Sequence, residues 1–301
     1  MTNPKRAKKS GGDMGDDKAQ PATLEEAQHA QDLNEMSSGD ENDDDESDAE
    51  DSSEEDDLVD SVVNVDFEAF PPDDSDFHGI RKLLQQVFRN SRVNVSDLAK
   101  HLIELNKLSV ILRQADEDME EDEEDDNDDV YGVTGVVPLG GDRDGVKSVR
   151  NFLLEKAGDV KNASIRSKLE PLLASGSVGL LVSERFVNIP PRVALPLLES
   201  IHGDWKEVKK SVPSLSKIQH IILICKQYAG AKDSFFANGE EELFVDLAEL
   251  QFDFEVPRQD ADTALSGKWR KSDEELKHVR KVLLLDTKKL SQMIQLVKEN
   301  V

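Results

Sequence analysis

The sequence of 301 residues contains a single cysteine and lacks long apolar runs. One cysteine excludes an intramolecular disulfide and any zinc motif built on several cysteines, which is typical of a reducing compartment. No segment approaches the ~20 apolar residues of a membrane span, and the N-terminus lacks the apolar core of a secretory signal. We therefore expect a soluble intracellular protein that makes no contact with a membrane.

The patterns that accompany enzymatic chemistry are also missing. The six histidines show no His-x3-His spacing, which a metal site on a helix would need. Gly-x-Ser-x-Gly, Walker and dinucleotide-binding motifs do not occur. The thiol of Cys225 ends the apolar run Ile221–Cys225, where we expect a buried, inert side chain and not a nucleophile. The sequence predicts no catalytic residue, no metal ligand and no cofactor.

Acidic residues are abundant and concentrated in two segments, the tail tract (Asp40–Asp57) and the loop tract (Asp116–Asp129). Asp and Glu make up 13 of the 18 residues in the tail tract and 12 of the 14 in the loop tract, and neither tract contains Lys or Arg. Removing these 25 charges from the net charge of −27 leaves −2 for the remaining residues. The acidity is therefore segregated from a nearly neutral body.

Closely spaced like charges predict extended, solvated segments without a fold of their own. Such segments attract basic proteins and repel nucleic acid, which is itself polyanionic. We expect a basic partner to contact the centre of the loop tract, which comprises Glu120, Glu121, Asp122, Glu123, Glu124 and Asp125. The alternative is that both tracts are spacers that only increase solubility.

The N-terminal tail carries two further signals. Lys5, Arg6, Lys8 and Lys9 form a short basic cluster, which fits the acidic groove of a nuclear import receptor and predicts a nuclear location. An acidic residue follows Ser47, Ser52 and Ser53 three positions on, a pattern that favours phosphorylation by an acidophilic kinase. Phosphopeptide mapping that finds these serines unmodified in growing cells would remove the second prediction.

Hydrophobic patterning predicts a disordered tail over residues 1–57 and one folded domain over residues 58–301. Alternating and helical periodicities intermingle, with several links of hairpin length, which predicts an α/β (mixed α+β) domain with a mixed, largely antiparallel sheet and helices on both faces. The predicted strands are 63–70, 109–112, 130–139, 178–187, 217–227, 250–256 and 279–285, and the predicted helices are 75–88, 96–105, 146–156, 164–174, 190–201, 240–248 and 286–299. The loop tract then becomes a hairpin connection between two neighbouring strands.

Four stretches resemble the BCCIP family of nuclear proteins: Val65–Phe70, His78–Phe88, Gly179–Pro196 and Gly267–Arg270. The third is the most specific, and an acidic tail and an acidic hairpin insert are also part of the family pattern. One departure is the short Ala231-Lys232-Asp233 sequence, where some relatives carry a Lys-rich loop. The resemblance therefore does not extend to interactions that depend on that loop.

The resemblance implies a non-enzymatic nuclear adaptor with a fold similar to that of the acetyl-CoA-dependent acetyltransferases. It also implies contacts with nuclear import and export machinery and chaperoning of a large-subunit ribosomal protein, with possible shuttling to the cytoplasm. A rival interpretation is a cell-cycle and DNA-repair scaffold, since animal relatives are associated with a recombination mediator and a cyclin-dependent kinase inhibitor. A third is a degenerate acetyltransferase that retains cofactor or peptide binding.

Two polar segments lie where a binding site could form. The turn Gly140–Lys147 follows a predicted strand where an acetyltransferase would hold a pyrophosphate with backbone amides, but it offers Val146 in place of the first required glycine. Asp142 and Asp144 would also bring negative charge toward an anion. The second segment, Ser183-Glu184-Arg185, ends a predicted strand, and we expect Glu184 and Arg185 to pair or to satisfy backbone groups and not to contact a partner.

Overall fold

The computed structural model describes residues 66–115, 130–160, 163–230, 233–257 and 276–301. The chain divides between Ser61 and Val62, and every described residue belongs to the second unit. The predicted tail boundary after residue 57 lies outside the described residues.

Eight strands form one sheet. In chain order they are β1 (Phe67–Phe70), β2 (Ser109–Gln114), β3 (Gly132–Pro138), β4 (Val178–Arg185), β5 (His220–Ala229), β6 (Ser234–Phe236), β7 (Leu250–Glu255) and β8 (Lys277–Asp286). The sheet order is β1-β2-β3-β4-β5-β8-β7, with β6 paired to β5. Of the pairs between described strands, β4 with β5 is parallel and the others are antiparallel. The predicted mixed, largely antiparallel sheet is confirmed.

Helices cover both faces of this sheet. They are α1 (Phe77–Val87), α2 (Val95–Glu104), α3 (Asp144–Asp159), α4 (Ala163–Ser175), α5 (Ala194–Ser211), α6 (Pro213–Ser216) and α7 (Leu290–Asn300), with short 3₁₀ helices at Asp74–Asp76, Asn106–Leu108, Pro191–Val193, Gly239–Leu247 and Thr287–Lys289. Apolar side chains of α1 to α4 form one core with the first face, and those of α5 and α7 form a second core with the other face. The predicted layers of helices are therefore present on both sides.

Strand β4 shows why two cores form. Successive side chains of a strand point to opposite faces, so Leu180 and Val182 pack in the first core while Leu181 packs in the second. Every apolar residue of β4 is buried. A strand that is buried on both faces must lie in the interior of the sheet, and β4 does lie between β3 and β5.

Several predicted boundaries need correction. Helix α2 begins at Val95, one residue before the predicted start, and Asn94 caps it, because the Asn94 side chain accepts from the Asp97 amide at 3.1 Å. The helix after Pro190-Pro191 was predicted to end near Ile201, but α5 continues to Ser211 because Trp205 and Val208 extend its apolar stripe into the second core.

Three smaller differences concern strands and a helix. In β1, Glu68 and Ala69 are both exposed and Phe67 and Phe70 are partly buried, so burial along this strand does not alternate as the pattern that predicts it requires. The 3₁₀ segment Gly239–Leu247 stands where an α-helix was predicted. Strand β6 was missed, because three residues are too few to show a period. Asp286, the first residue of the last predicted helix, caps the 3₁₀ turn that leads into α7, since its side chain accepts from the Lys288 amide at 2.8 Å.

Candidate partner-binding surface

The loop tract connects two adjacent antiparallel strands. Strands β2 and β3 pair in a register that places Leu112 opposite Gly132. The Ala115 amide donates to the Asp66 carbonyl at 2.8 Å, and the Tyr131 amide donates to the Leu112 carbonyl at 2.8 Å. Both ends of the connection are therefore held by backbone hydrogen bonds at one end of the sheet. Strands β2 and β3, which precede and follow the tract in the chain, are therefore paired neighbours; the predicted hairpin loop, residues 116–129, lies outside the described residues.

Aromatic side chains surround the root of this hairpin. We call Phe67, Tyr131, Phe186 and Val187 the root surface. The rings of Phe67 and Tyr131 meet edge to face at 5.4 Å, and those of Tyr131 and Phe186 do so at 6.3 Å. The three aromatic residues are half-buried, whereas Val187 is 58% exposed. The Lys82 ammonium already lies over the Phe186 ring, 5.7 Å from its centre. The rest of the surface offers ring faces and apolar area, which can accept the stems and charged ends of Lys or Arg side chains.

Ion pairs and close packing hold the elements around the root surface in place. Arg113 on β2 forms a short ion pair with Asp76, whose carboxylate also accepts from the Asp73 amide at 2.8 Å. A Cβ atom on Gly79 of α1 would lie 2.7 Å from the Cβ atom of Val130. Helix α1 thus packs directly against the chain where it returns from the hairpin.

Beneath the root surface, β4 ends in two charged residues that face opposite sides of the sheet. Arg185 forms a bidentate pair with Glu240 at 2.5 and 2.8 Å and also donates to the Ile189 carbonyl at 3.2 Å. Glu184 pairs with Lys226 at 2.5 Å on the other face. The structural role predicted for Ser183-Glu184-Arg185 is confirmed, but the two charged residues bind separate partners and not each other.

Burial shifts the proton affinities of this cluster. Burial raises the pKa of Glu184, and the attraction of Lys226 opposes that rise. Burial also raises the pKa of Glu241 well above the ordinary value, with a further rise from Glu184, while the hydrogen bond that Asn238 donates at 2.9 Å acts in the opposite direction. Nothing in the sequence singled out Glu240 and Glu241. The one available signal is the run of three acids Glu240–Glu242 at the start of an apolar segment, and it is weak.

The two strand-to-helix turns that could receive an anion are filled by the chain itself. At the start of α3, the Gly145 amide donates to Asp97 at 2.7 Å, and Arg143 binds both Asp97 and Glu104. A crossover connection joins two parallel strands, and the parallel strands here are β4 and β5. The turn at the crossover is therefore the one between β4 and α5, and not the turn Gly140–Lys147. In α/β sheets ligands bind at such crossovers, but Pro190 and Pro191 carry no amide hydrogen there. Neither turn fits a cofactor pyrophosphate.

The remaining candidate groups behave as structural residues. Cys225 is fully buried, and burial raises the pKa of its thiol well above the ordinary value, in agreement with the predicted inert side chain. Within the described ranges, no cluster of three or more His, Cys, Asp or Glu residues could hold a metal ion. In the same part of the chain, no helix combines the length and apolarity needed to cross a membrane.

The residues predicted to carry function lie outside the described part of the chain and stay predictions. They are the import cluster Lys5, Arg6, Lys8 and Lys9, the serines Ser47, Ser52 and Ser53, and the loop-tract residues Glu120, Glu121, Asp122, Glu123, Glu124 and Asp125. For the loop tract, the structure adds the positions of the described residues on either side of it.

Comparison with known proteins agrees with this description. A family model described as BCCIP matches residues 62–243. Protein BCCIP homolog of Danio rerio is 35% identical over 250 residues, covering 77% of this chain and 82% of the relative. BRCA2 and CDKN1A-interacting protein of Homo sapiens is 32% identical over 262 residues, covering 81% and 83%. The predicted resemblance is confirmed.

Two solved structures align with the chain. The crystal structure of BCP1 from Saccharomyces cerevisiae aligns with a TM-score of 0.52 at 18% identity, covering 81% of this chain and 92% of that one. It shares the fold. The crystal structure of the NatC complex bound to Gag peptide and CoA aligns with a TM-score of 0.31 at 10% identity, which does not bear on the expected similarity to acetyltransferases.

Proposed function

Because the chain belongs to the BCCIP family, we propose that it is a non-enzymatic nuclear adaptor that binds and protects basic partner proteins. Its partner class follows from charge: 25 of its 64 acidic residues lie in two tracts without a single Lys or Arg. Carboxylates at that density compete with nucleic acid for Lys- and Arg-rich surfaces, reversibly and with strong dependence on salt.

The observation that carries the proposal is where the loop tract begins and ends. The residues on either side of it, Ala115 and Val130, lie next to the ends of β2 and β3, beside the root surface. A basic partner that contacts the root surface would bring its cations within reach of the 12 carboxylates of the loop tract. Apolar contact then supplies specificity, while charge supplies fast capture and shielding.

The resemblance narrows the partner further, to a large-subunit ribosomal protein held before its assembly into the ribosome. An unassembled ribosomal protein carries exposed basic surface that would otherwise bind RNA wrongly or aggregate. We propose that the Lys5–Lys9 cluster directs import and that the complex, or the emptied adaptor, returns through export machinery. Association with ribosome biogenesis and protein transport follows from this assignment.

Affinity purification of the tagged chain from nuclear extract, followed by a salt-wash series and mass spectrometry, tests this function. We expect one basic ribosomal protein in near-equal amount, released as salt rises. In a variant whose 12 loop-tract acids are replaced by Asn and Gln, hairpin length is kept, and we expect capture at least about tenfold weaker with a smaller salt dependence. Unchanged capture by that variant would contradict the mechanism.

The root surface needs its own variant and control. Val187→Lys puts a positive charge on the exposed apolar part of this surface, which repels a basic partner, and should weaken capture with little change in Tm. Val301→Lys, at another exposed valine (49% exposed), is the matched control and should capture normally. Equal losses in both variants would indicate that the root surface makes no specific contact.

A second function is favoured by one observation, the name of the human relative, BRCA2 and CDKN1A-interacting protein. A cell-cycle and DNA-repair scaffold would bind partner peptides in grooves or on sheet edges. Recovery of repair or cell-cycle proteins without a ribosomal protein in the same purification would favour the scaffold over the chaperone.

A further inference from the structure

Two stretches of the chain reverse its acidic character. Lys and Arg number 37 against 64 Asp and Glu in the whole sequence, but Lys206–Lys217 contains four Lys and one acid, and Thr287–Lys298 contains three Lys and no acid. The first stretch forms the C-terminal part of α5, α6 and the start of the link to β5. The second forms the 3₁₀ turn before α7 and most of α7 itself. Neither stretch takes part in the proposed function.

Tertiary packing brings the two stretches together at one end of the sheet. The Thr287 amide donates to the Gln219 carbonyl at 2.9 Å, and the His202 ring nitrogen Nε2 lies 3.0 Å from the Ser291 hydroxyl oxygen. His202 precedes Lys206 by four residues, which places the two on one side of α5, so this side borders α7. The stretches therefore present one surface. We call it the lysine end, and it comprises the exposed residues Lys206, Lys210, Lys217 and Lys288.

Most charges of the lysine end are not engaged by the protein itself. Among the side chains that the structure describes, none forms a hydrogen bond or an ion pair with the first three of its lysines. Lys288 lies 3.8 Å from the Asp286 carboxylate, but its side chain is 90% exposed, so water screens this pair. Lys209 does not belong to the surface, because its ammonium donates to the Ile218 carbonyl at 3.2 Å.

The acids on neighbouring elements face elsewhere or have their own partners. Asp204 and Glu207 of α5 line a separate cavity together with Pro71, which follows β1. Glu249, which precedes β7, pairs with His220 at 3.4 Å. These acids therefore do not neutralise the lysine end.

The lysine end and the root of the hairpin lie at opposite ends of the sheet. Gly132, at the start of β3, is opposite Arg185 at the C-terminal end of β4, and β5 runs parallel to β4. The lysine end lies at the other end of β5, where His220 is opposite Asp286. The ten residues of β5 separate the two ends by about 30 Å, several times the Debye length of ~8 Å. Carboxylates near the hairpin root are therefore screened from the lysine end by salt.

The residue types at the lysine end indicate nucleic acid and not protein as its partner. Protein interfaces are depleted of Lys and have an apolar, aromatic core, whereas nucleic-acid interfaces are polar and strongly positive. The exposed large apolar residues of the described chain are Val187, Phe235 and Val301, and none of them lies in either stretch. Neither stretch contains Arg, the residue that binds carboxylates through two bonds, whereas Lys binds phosphate as a point charge.

We propose that the lysine end binds the phosphate backbone of single-stranded RNA without sequence preference. Contacts from lysines to phosphates position a protein on a nucleic acid but carry no sequence information. RNA is the polyanion that an adaptor for a ribosomal protein meets, and in this respect the inference rests on the proposed function. An adaptor with an acidic hairpin at one end and lysines at the other can hold a basic protein beside the RNA on which that protein assembles.

Fluorescence anisotropy of labelled oligo(U), titrated with the full chain over a series of salt concentrations, tests the site. If each of the four lysines neutralises one phosphate, the logarithm of the binding constant should fall with the logarithm of salt concentration with a slope of about −3. Lys206→Gln/Lys210→Gln should weaken binding about tenfold at ~50 mM salt and make the slope shallower by about 1.4. Lys100→Gln/Lys168→Gln removes two exposed lysines from α2 and α4, on the other face of the sheet, and should change neither quantity. Thermal melting checks that both variants fold.

Three results would overturn the proposal: no binding of oligo(U) to the wild-type chain at ~50 mM salt, equal affinities of the two double variants, or tighter binding of oligo(dT), a Glu-rich peptide or phosphatidylserine vesicles than of oligo(U). Binding through the Lys5–Lys9 cluster alone would give equal affinities and so counts against the lysine end. The assay contains no basic partner, so its failure is distinct from failure of the proposed function. Capture of the basic partner should persist in Lys206→Gln/Lys210→Gln.

Discussion

Removing the guanidinium of Arg185 should destabilise the protein strongly. Arg185 and Glu240 are almost fully enclosed, with 6% and 1% of their side chains exposed, and they meet through two hydrogen bonds. In Arg185→Met the Glu240 carboxylate loses both bonds and stays buried. Breaking a buried pair in this way costs about 3–5 kcal/mol, which corresponds to a fall in Tm of roughly 6–20 °C for a domain of this size.

The assay is chemical and thermal denaturation of Arg185→Met, Glu240→Leu and the double variant. Because the double variant leaves no buried charge without its partner, we expect it to recover much of the loss, which a double-mutant cycle measures. The control is Lys277→Met, which breaks the ion pair that Lys277 forms with Glu255 at 3.1 Å. The side chains of this pair are 66% and 69% exposed, so the substitution should lower the free energy of unfolding by less than about 1 kcal/mol. If Arg185→Met is no more destabilising than the control, the reasoning about burial is wrong.

Two further predictions concern Glu241 and Gly79. The folded-state pKa of Glu241 is raised, so the contribution of Glu241 to stability is complete below about pH 4 and is lost as the pH rises through the folded-state pKa. The loss amounts to ~1.4 kcal/mol for each unit by which the pKa is raised. In a series of denaturation experiments at rising pH, Glu241→Gln should therefore gain stability relative to wild type, and a difference that is constant with pH would contradict this. Gly79→Ala places a methyl group 2.7 Å from the Val130 Cβ atom and should lower stability by about 1–3 kcal/mol. Gly203→Ala, with open space around it, should raise stability by up to about 1 kcal/mol. The idea fails if both variants behave alike in the same melts.

Two kinds of information were present in the sequence itself. The segregation of charge needs no coordinates, because it is a property of residue order. The strong strands and helices were also readable: β4, for example, is an uninterrupted apolar run from Val178 to Val182, and Asp286 is a capping residue before a helical period. These signals are local, and the physics that produces them acts over a few residues.

Tertiary structure decided which distant residues meet. Arg185 and Glu240 are 55 positions apart, and Arg280 reaches carbonyls of α1 across 193 and 194 positions, so no local pattern could reveal either contact. The strand pairing alone showed that the crossover lies between β4 and β5, which moved the candidate anion turn from Gly140–Lys147 to the start of α5. The sequence by itself determined the chain's charge distribution, its main strands and helices and its family resemblance; the buried ion pairs, the root surface and the lysine end depend on long-range packing, which only the folded chain defines.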